Sequence, residues 1–154
     1  MLKKKIIIFL LLFLSSCGYE AIHSKKNVEY FEFSISKLSF SGDRDINLKI
    51  KEVLNNYTLN KKDKDFTLKI SSTSEKKILA KNILGDATSF QKIIVLNIEV
   101  LENNKFKNNF TLSERFTYNN NDDKFNLTTY EKEITKNLTK TTVDKLIFKL
   151  SNIQ

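Results

Sequence analysis

Apolar and polar side chains alternate near the start of the folded part of this chain. Over residues 31–36 every second side chain is apolar, including Phe33 and Ile35, which predicts a half-buried β-strand. The apolar positions then change phase to Leu38 and Phe40. This change predicts a β-bulge near Lys37, because one extra residue turns the following side chains over to the other face of the sheet.

The next segment has the period of an α-helix. Ser41, Gly42 and Asp43 interrupt the strand and offer capping side chains for a helix N-terminus. Apolar residues then recur at helical spacing, which places them on one face of a helix. These residues are Ile46, Ile50, Val53, Leu54 and Tyr57. The pattern predicts a helix that packs against a core.

Two more strands are predicted by a return to period two. Residues 66–70 alternate between apolar and polar side chains, and after a polar stretch the same parity returns at Ile78. A Gly-Asp pair at residues 85–86 predicts a two-residue hairpin turn, because glycine adopts a positive φ without steric cost. Residues 93–95 are apolar on both faces, so the strand after this turn is predicted to be central.

A fourth strand and a long helix complete the pattern. An Asn pair at residues 103–104 predicts a turn, since asparagine tolerates the left-handed conformation. The strand that follows carries five apolar residues of one parity, namely Phe106, Phe110, Leu112, Phe116 and Tyr118. From residue 125 onward the apolar spacing becomes helical over about 25 residues.

The order of these elements defines a fold class. A strand, a helix, three strands in a meander and a final helix predict an α+β domain with two layers. We expect a four-stranded, mostly antiparallel sheet with both helices on one face. The chain has 154 residues, which suits one such domain.

The N-terminal segment has the composition of a lipoprotein signal. Three lysines precede nine apolar residues at positions 6–14, and Ser15, Ser16 and Cys17 follow. A basic start, a short apolar segment and small residues before a cut are features of a secretory signal, and a cysteine at the cut can accept acyl chains. We therefore predict a cleaved signal peptide at residues 1–16, an acylated N-terminus and tether at residues 17–27, and one folded domain at residues 28–154.

Two other interpretations of this segment remain open. A membrane-spanning helix needs about 20 apolar residues, so the short segment present here fits it poorly. A secretory signal with an incidental cysteine is the stronger rival. It leaves unexplained why the only cysteine of the chain directly follows Leu14, Ser15 and Ser16. Lipidation of Cys17 would leave no cysteine for a disulfide.

Composition and motifs argue against an enzyme. Without residues 1–16 the chain has 23 basic and 18 acidic residues, a moderate excess that does not call for a nucleic-acid partner. Three glycines are too few for a phosphate-binding loop, and the single histidine, His23, falls in the predicted tether. We therefore expect no cofactor and no metal site. Four carboxylates remain as acid-base candidates and are better explained as caps, exposed strand residues or loop residues: Asp43, Asp45, Glu114 and Asp122.

Five basic residues are candidate contacts. Four lie on the two arms of the predicted hairpin, and the fifth lies on the polar parity of the fourth strand, which also carries Thr111 and Ser113. They are Lys76, Lys77, Lys81, Lys92 and Arg115. In an exported protein such cations can pair with the phosphates of a glycolipid. The alternative is a solvated sheet edge protected from aggregation by lysines, which the lysine-rich composition favours.

Four short segments, together with the order of elements, resemble those of a known family. Residues 17–20 (Cys-Gly-Tyr-Glu) resemble the start of its mature chains, and residues 66–70 (Phe-Thr-Leu-Lys-Ile) resemble its second strand. Residues 87–100 lead from a polar start into a long apolar strand, and residues 113–118 (Ser-Glu-Arg-Phe-Thr-Tyr) look like its fourth strand. The family is LptE, the lipopolysaccharide-assembly lipoproteins, and the resemblance covers nearly the whole mature chain.

The resemblance implies a structural and binding role. LptE proteins sit inside the large β-barrel translocon LptD, plug its lumen, help it to assemble and contact lipopolysaccharide. The implied partners are an LptD-like barrel, lipopolysaccharide and the membrane, the last through acyl chains on Cys17. Because Gly18 rather than aspartate follows Cys17, we expect the outer membrane as the location. The five basic residues become candidate contacts with lipopolysaccharide or with the barrel.

Two other functions stay open on the sequence. The first is a periplasm-facing lipoprotein that uses the same fold to bind another protein or a lipid and is not part of the translocon. The second, weaker one is a lipoprotein hydrolase without a recognisable motif.

Overall fold

A computed structural model describes residues 32–153. The predicted signal peptide, Cys17, the tether and the start of the first predicted strand lie outside these described residues. The elements in chain order are β1 (Phe33–Gly42), α1 (Arg44–Leu54), a short 3-10 turn (Asn55–Tyr57), β2 (Lys64–Lys81), β3 (Ala87–Glu102), β4 (Lys105–Asn119) and α2 (Lys124–Ser151).

The four strands form one sheet in the order β1-β2-β3-β4. β1 runs parallel to β2, and the other two pairs are antiparallel. The predicted bulge is confirmed, because the pairing of β1 with β2 shifts between Ile35 and Lys37. The prediction of a central third strand is confirmed as well, since β3 lies between β2 and β4.

Asp43 begins α1 as the sequence predicts. Its carboxylate accepts hydrogen bonds from the backbone N–H groups of Asp45, at 3.0 Å, and of Ile46, at 3.1 Å. These bonds satisfy two of the amides that a helix N-terminus leaves unpaired. The residue before the cap, Gly42, has φ +89° and lies so close to Ser72 that a Cβ would stand 1.9 Å from the Ser72 carbonyl oxygen. Only glycine fits this turn from β1 into α1.

The two hairpin turns differ in how well the sequence predicts them. Asn103 and Asn104 form the predicted turn, with φ of 52° and 61°. The two-residue turn predicted at Gly85 and Asp86 is wrong, because the connection spans residues 82–86 and closes with a 2.9 Å bond from the Asn82 N–H to the Asp86 carbonyl. Gly85 does take a positive φ, +92°, but it ends the turn instead of opening it.

Both helices pack against one face of the sheet, which confirms the predicted α+β architecture. The fully buried side chains come from α1, α2 and the inward-facing positions of the strands, so one core lies between the two layers. Its largest members are Phe66, Ile35, Ile46, Ile50, Leu54, Leu68, Ile70, Ile94, Leu96, Ile98, Leu146 and Leu150. Within residues 32–153, no helix lies on the other face of the sheet.

One aromatic side chain of β4 lies on the unexpected face. The sequence places Phe106 on the same face as Phe110 and Leu112, but 65% of its surface is exposed and it pairs with Leu101 on the open face. The cause is a shift in the pairing of β3 with β4 between Val100 and Leu101, which reverses the parity near the turn.

Neither α1 nor α2 is long and apolar enough to cross a membrane, and the same holds for any helical stretch within residues 32–153.

Candidate functional site

The five basic residues predicted as contacts occupy three different places. Lys76 and Lys92 lie opposite each other on β2 and β3 and face the helices. Lys77 and Arg115 point to the open face of the sheet, because successive side chains of a strand alternate between faces. Lys81 ends β2 beside the hairpin turn. The structure brings together only the first two.

Lys76 is held in a network on the helix face. Its ammonium group lies 2.5 Å from a carboxylate oxygen of Glu131 on α2 and 3.9 Å from the centre of the Phe90 ring. The Tyr118 hydroxyl donates a 2.8 Å hydrogen bond to the same Glu131 oxygen. Tyr118 also packs against Phe90 and Tyr130, with ring centres 5.7 Å and 6.0 Å away. The network joins three strands to the long helix.

The two acids of this network have shifted pKa values. Burial raises the pKa of Glu131, but hydrogen bonds from Lys76 and Tyr118 and the charges of Lys76 and Lys92 outweigh it, so the net shift is downward. For Tyr118, burial and the hydrogen bond to Glu131 both raise the pKa of the phenol. At neutral pH Glu131 is therefore a carboxylate and Tyr118 a neutral phenol.

The open face of the sheet is mostly polar and contains a shallow groove of about 570 Å³. Phe106 stands at the groove, together with the ion pair of Lys69 with Glu99 at 2.9 Å. Thr111 donates a 2.9 Å hydrogen bond to the side-chain oxygen of Asn97 across the strands. The exposed parity predicted from Thr111, Ser113 and Arg115 lies on this face.

The hairpin between β2 and β3 ends in an apolar tip that the sequence analysis missed. Ile83 and Leu84 are 103% and 82% exposed, and Ile78 and Leu79 nearby are half exposed. The Asn82 side chain accepts hydrogen bonds from the N–H groups of Leu84 and Asp86, both at 2.9 Å, which orders the turn. The sequence did contain a signal for this apolar tip, namely the two aliphatic residues Ile83 and Leu84 directly before Gly85.

Of the four carboxylates considered as acid-base candidates, Asp43 and Asp45 lie together at the start of α1, and the other two lie elsewhere. Asp43 caps α1, and Asp122 lies in the exposed loop before α2. Glu114 differs from its predicted place as an exposed strand residue, because it faces α2 and forms an ion pair with Lys145. Among the described residues, no three histidine, cysteine, aspartate or glutamate side chains lie close enough together to hold a metal ion.

No protein-family model matches the chain, and no curated protein matches it by sequence. Solved structures do match it by fold. Rare lipoprotein B from Shewanella oneidensis superposes with a TM-score of 0.56 at 15% identity, covering 75% of this chain and 93% of that one. A minor lipoprotein from Acinetobacter baumannii gives 0.54 at 14% identity, covering 75% and 90%. Lipoprotein B from Nitrosomonas europaea gives 0.53 at 16% identity, covering 79% and 86%. The chain therefore has a fold found in bacterial lipoproteins.

Proposed function

We propose that this chain is an outer-membrane lipoprotein of the LptE type, anchored through acyl chains on Cys17. In this role it plugs an LptD-like β-barrel, assists the assembly of that barrel and takes part in the transport of lipopolysaccharide. It acts by binding and not as an enzyme. The proposal combines the signal and segments seen in the sequence with a fold shared by solved lipoproteins.

The open face of the sheet is the observation that carries the proposal. The helices cover one face, whereas the other presents hydroxyl, amide and charged side chains such as Ser113, Thr111 and Arg115. The lumen of a membrane β-barrel is polar, so a plug needs a polar outer surface with both hydrogen-bond donors and acceptors. A face of this composition meets that requirement.

The hairpin tip adds an apolar contact to this surface. Exposure of aliphatic side chains to water is unfavourable in free energy. Contiguous exposed apolar patches are therefore typical of interaction sites. Ile83 and Leu84 lie at the end of the longest strands of the sheet. We propose that these two side chains dock against the barrel partner. The open face of the sheet then contacts the inner wall of the barrel.

Copurification tests the proposal. The acylated protein is captured from native membranes, and we expect a large β-barrel protein to be recovered with it. Arg115→Glu should reduce that recovery, because it reverses the charge on the open face. Lys140→Glu on the exposed side of α2 makes the same charge change elsewhere and should leave recovery intact. Recovery of a soluble protein, with no barrel, would instead support the periplasm-facing binding module.

Depletion tests the pathway directly. If the chain acts in lipopolysaccharide transport, depleted cells should lose lipopolysaccharide from their surface. Normal surface lipopolysaccharide after depletion would exclude this pathway. Joint replacement of Asp43, Asp45, Glu114 and Asp122 by alanine should not reproduce the depletion phenotype as long as the variant folds, since the proposed role needs no acid-base residue.

A further inference from the structure

β4 has a free edge that no other described strand covers. It is the last strand in the sheet order, and within residues 32–153 nothing pairs with its outer side. β4 has 15 residues, and from Asn108 to Asn119 its pairing with β3 contains no irregularity. A free edge of this kind can accept a further strand, because each unpaired N–H and C=O group can bond to another chain.

The register of β4 shows which backbone groups form this edge. The Asn120 N–H donates a 2.8 Å bond to the Thr88 carbonyl, one step beyond the pair of Ser89 with Asn119. Paired residues of antiparallel strands alternate between hydrogen-bonded and non-hydrogen-bonded positions. The even-numbered residues of β4 in the regular stretch therefore bond to β3. The odd-numbered residues within 109–117 direct their N–H and C=O groups outward.

This edge lacks the features that usually prevent edge pairing. Short strands, bulges, prolines and lysines are the common ones. β1, the other edge strand, has 10 residues and a bulge after Ile35. The chain contains no proline, and the two lysines of β4, Lys105 and Lys107, precede the regular stretch. The edge of β4 is therefore open to a partner strand along that whole stretch.

The side chains at the edge indicate the chemistry of the partner strand. On the helix face Phe116 is 44% exposed, although Leu112 on the same face is buried. On the open face Arg115 forms no ion pair among the described residues, and its neighbour on β3 is Ile93. Paired residues of adjacent strands share one face of the sheet. The partner strand would therefore place an apolar residue beside Phe116 and a carboxylate beside Arg115.

A second copy of this chain meets these requirements poorly. In an antiparallel pair of β4 strands, odd-numbered residues face odd-numbered residues, because the outward groups of both copies must meet. Arg115 is the charged residue at the odd positions within 109–117, so self-pairing supplies no carboxylate. The acidic residue of this stretch, Glu114, is at an even position and pairs with Lys145. Another polypeptide is the better source of the strand.

We infer that β4 binds an extended segment of a partner protein, which adds a strand to the sheet beyond β4. Main-chain bonds to the odd-numbered residues provide affinity, and the contacts at Phe116 and Arg115 provide specificity. In the proposed function this segment belongs to the barrel partner, and that identification alone rests on the proposed function. The segment then lies outside the barrel wall, because each strand of a closed barrel already has a neighbour on both sides.

Amide hydrogen exchange on the complex captured from native membranes tests the inference. In the purified mature protein the odd-numbered amides within 109–117 should exchange freely, whereas the even-numbered amides between them should be protected. In the complex the odd-numbered amides should exchange about tenfold more slowly or less. Unchanged exchange of these amides in the complex would overturn the inference, and so would the absence of any bound partner protein.

A proline at the centre of the edge provides a matched pair of variants. Ser113→Pro and Ser113→Ala both remove the hydroxyl, but only proline removes the outward N–H. Proline is tolerated on an edge strand where the N–H faces outward, so the even-numbered amides of Ser113→Pro should stay protected. Recovery of the partner should be about tenfold lower or more with Ser113→Pro than with Ser113→Ala. Equal recovery with a folded Ser113→Pro would refute strand addition. If Ser113→Pro does not fold, the exchange measurement decides.

The outcomes separate this inference from the proposed function. A barrel recovered without slower exchange of the odd-numbered amides refutes strand addition and leaves the proposed function standing. A different protein recovered with slower exchange at the odd positions supports strand addition and refutes the barrel as the partner. If the same amides slow as the concentration of the purified protein alone is raised, the added strand comes from a second copy and the inference is wrong.

Discussion

The Tyr118 hydroxyl donates a 2.8 Å hydrogen bond to the carboxylate of Glu131. This bond links β4, an edge strand, to α2, the long helix that packs on β3 and β4. Lys76 binds the same carboxylate oxygen from β2. A single carboxylate therefore joins elements that lie far apart in the sequence.

Removal of the Tyr118 hydroxyl should lower stability. Tyr118→Phe keeps the ring packed against Phe90 but leaves Glu131 with one donor fewer, so we expect a loss of about 1–2 kcal/mol in the free energy of unfolding. Urea denaturation measures the loss. Tyr130→Phe is the matched control, because Tyr130 is half exposed, and should change little. Equal losses in the two variants would contradict a role for the hydrogen bond.

Acid should weaken the same network. The folded-state pKa of Glu131 lies below its ordinary value of 4.5, so its contribution to stability is complete above that value and is lost as the pH falls through the lowered pKa. Glu131→Gln should therefore be less stable than the native protein at neutral pH, and the difference should shrink below about pH 4.5. Unfolding free energies measured across pH test this expectation. Glu133→Gln removes an exposed carboxylate on the same helix and should differ little from the native protein throughout.

Gly42 and Gly85 should respond differently to alanine. Both have a positive φ, which costs about 1–2 kcal/mol for an alanine. At Gly85 nothing lies within 4 Å of the added Cβ, so that cost is the whole effect. At Gly42 the Cβ would also meet the Ser72 carbonyl oxygen at 1.9 Å, and we expect a loss of at least about 3 kcal/mol or failure to fold. Denaturation curves that place Gly85→Ala below Gly42→Ala in stability would contradict this expectation.

Replacement of Cys17 should release the protein from the membrane. Each buried CH₂ of an acyl chain contributes about 0.8 kcal/mol, so two or three chains make attachment effectively permanent, and Cys17→Ser would remove them all. Mass spectrometry and membrane fractionation measure the acyl chains and the release. Ser16→Ala keeps a small residue before the cut and should still be acylated. A Cys17→Ser protein that stays in the membrane fraction would show that another anchor exists.

Polar residues at the hairpin tip should affect binding and not folding. The double variant Ile83→Ser and Leu84→Ser changes two exposed side chains, so the free energy of unfolding should stay within about 0.5 kcal/mol of the native value. Recovery of the barrel partner should fall. Leu59→Ser, at a side chain 71% exposed in the loop before β2, is the control and should copurify normally. Unchanged recovery with the double variant would exclude the tip as a contact.

Periodicity made the architecture predictable. The phase change between Ile35 and Leu38 was enough to place the bulge of β1, because a strand with one buried face must correct its parity after an extra residue. The capping role of Asp43 was equally accessible, since it depends only on neighbours in the sequence. Both features are local, and local rules determine them.

Features that depend on distant partners were not predictable. The parity of Phe106 changes with the register between β3 and β4, and the direction of Glu114 is evident only once α2 lies beside it. Lys76 and Lys92 were both singled out as cations, but the sequence does not show that Lys76 is the one that forms the ion pair with Glu131. The network of Lys76, Tyr118 and Glu131 comes from two strands and one helix, so residue spacing alone cannot predict it.

Because β1 runs parallel to β2, both strands run from the start of the domain toward the end of the sheet that carries the hairpin tip. Phe33 lies beside Lys64 at the start of β2, whereas the apolar tip follows Lys81 at its other end. Eighteen residues at ~3.3 Å each span up to ~60 Å, about twice the ~30 Å hydrocarbon thickness of a bilayer. The end of the domain that follows Cys17 in sequence and the end that carries Ile83 and Leu84 therefore point opposite ways. In the proposed role, a domain anchored through Cys17 would therefore present Ile83 and Leu84 at the end of the sheet away from the start of β1.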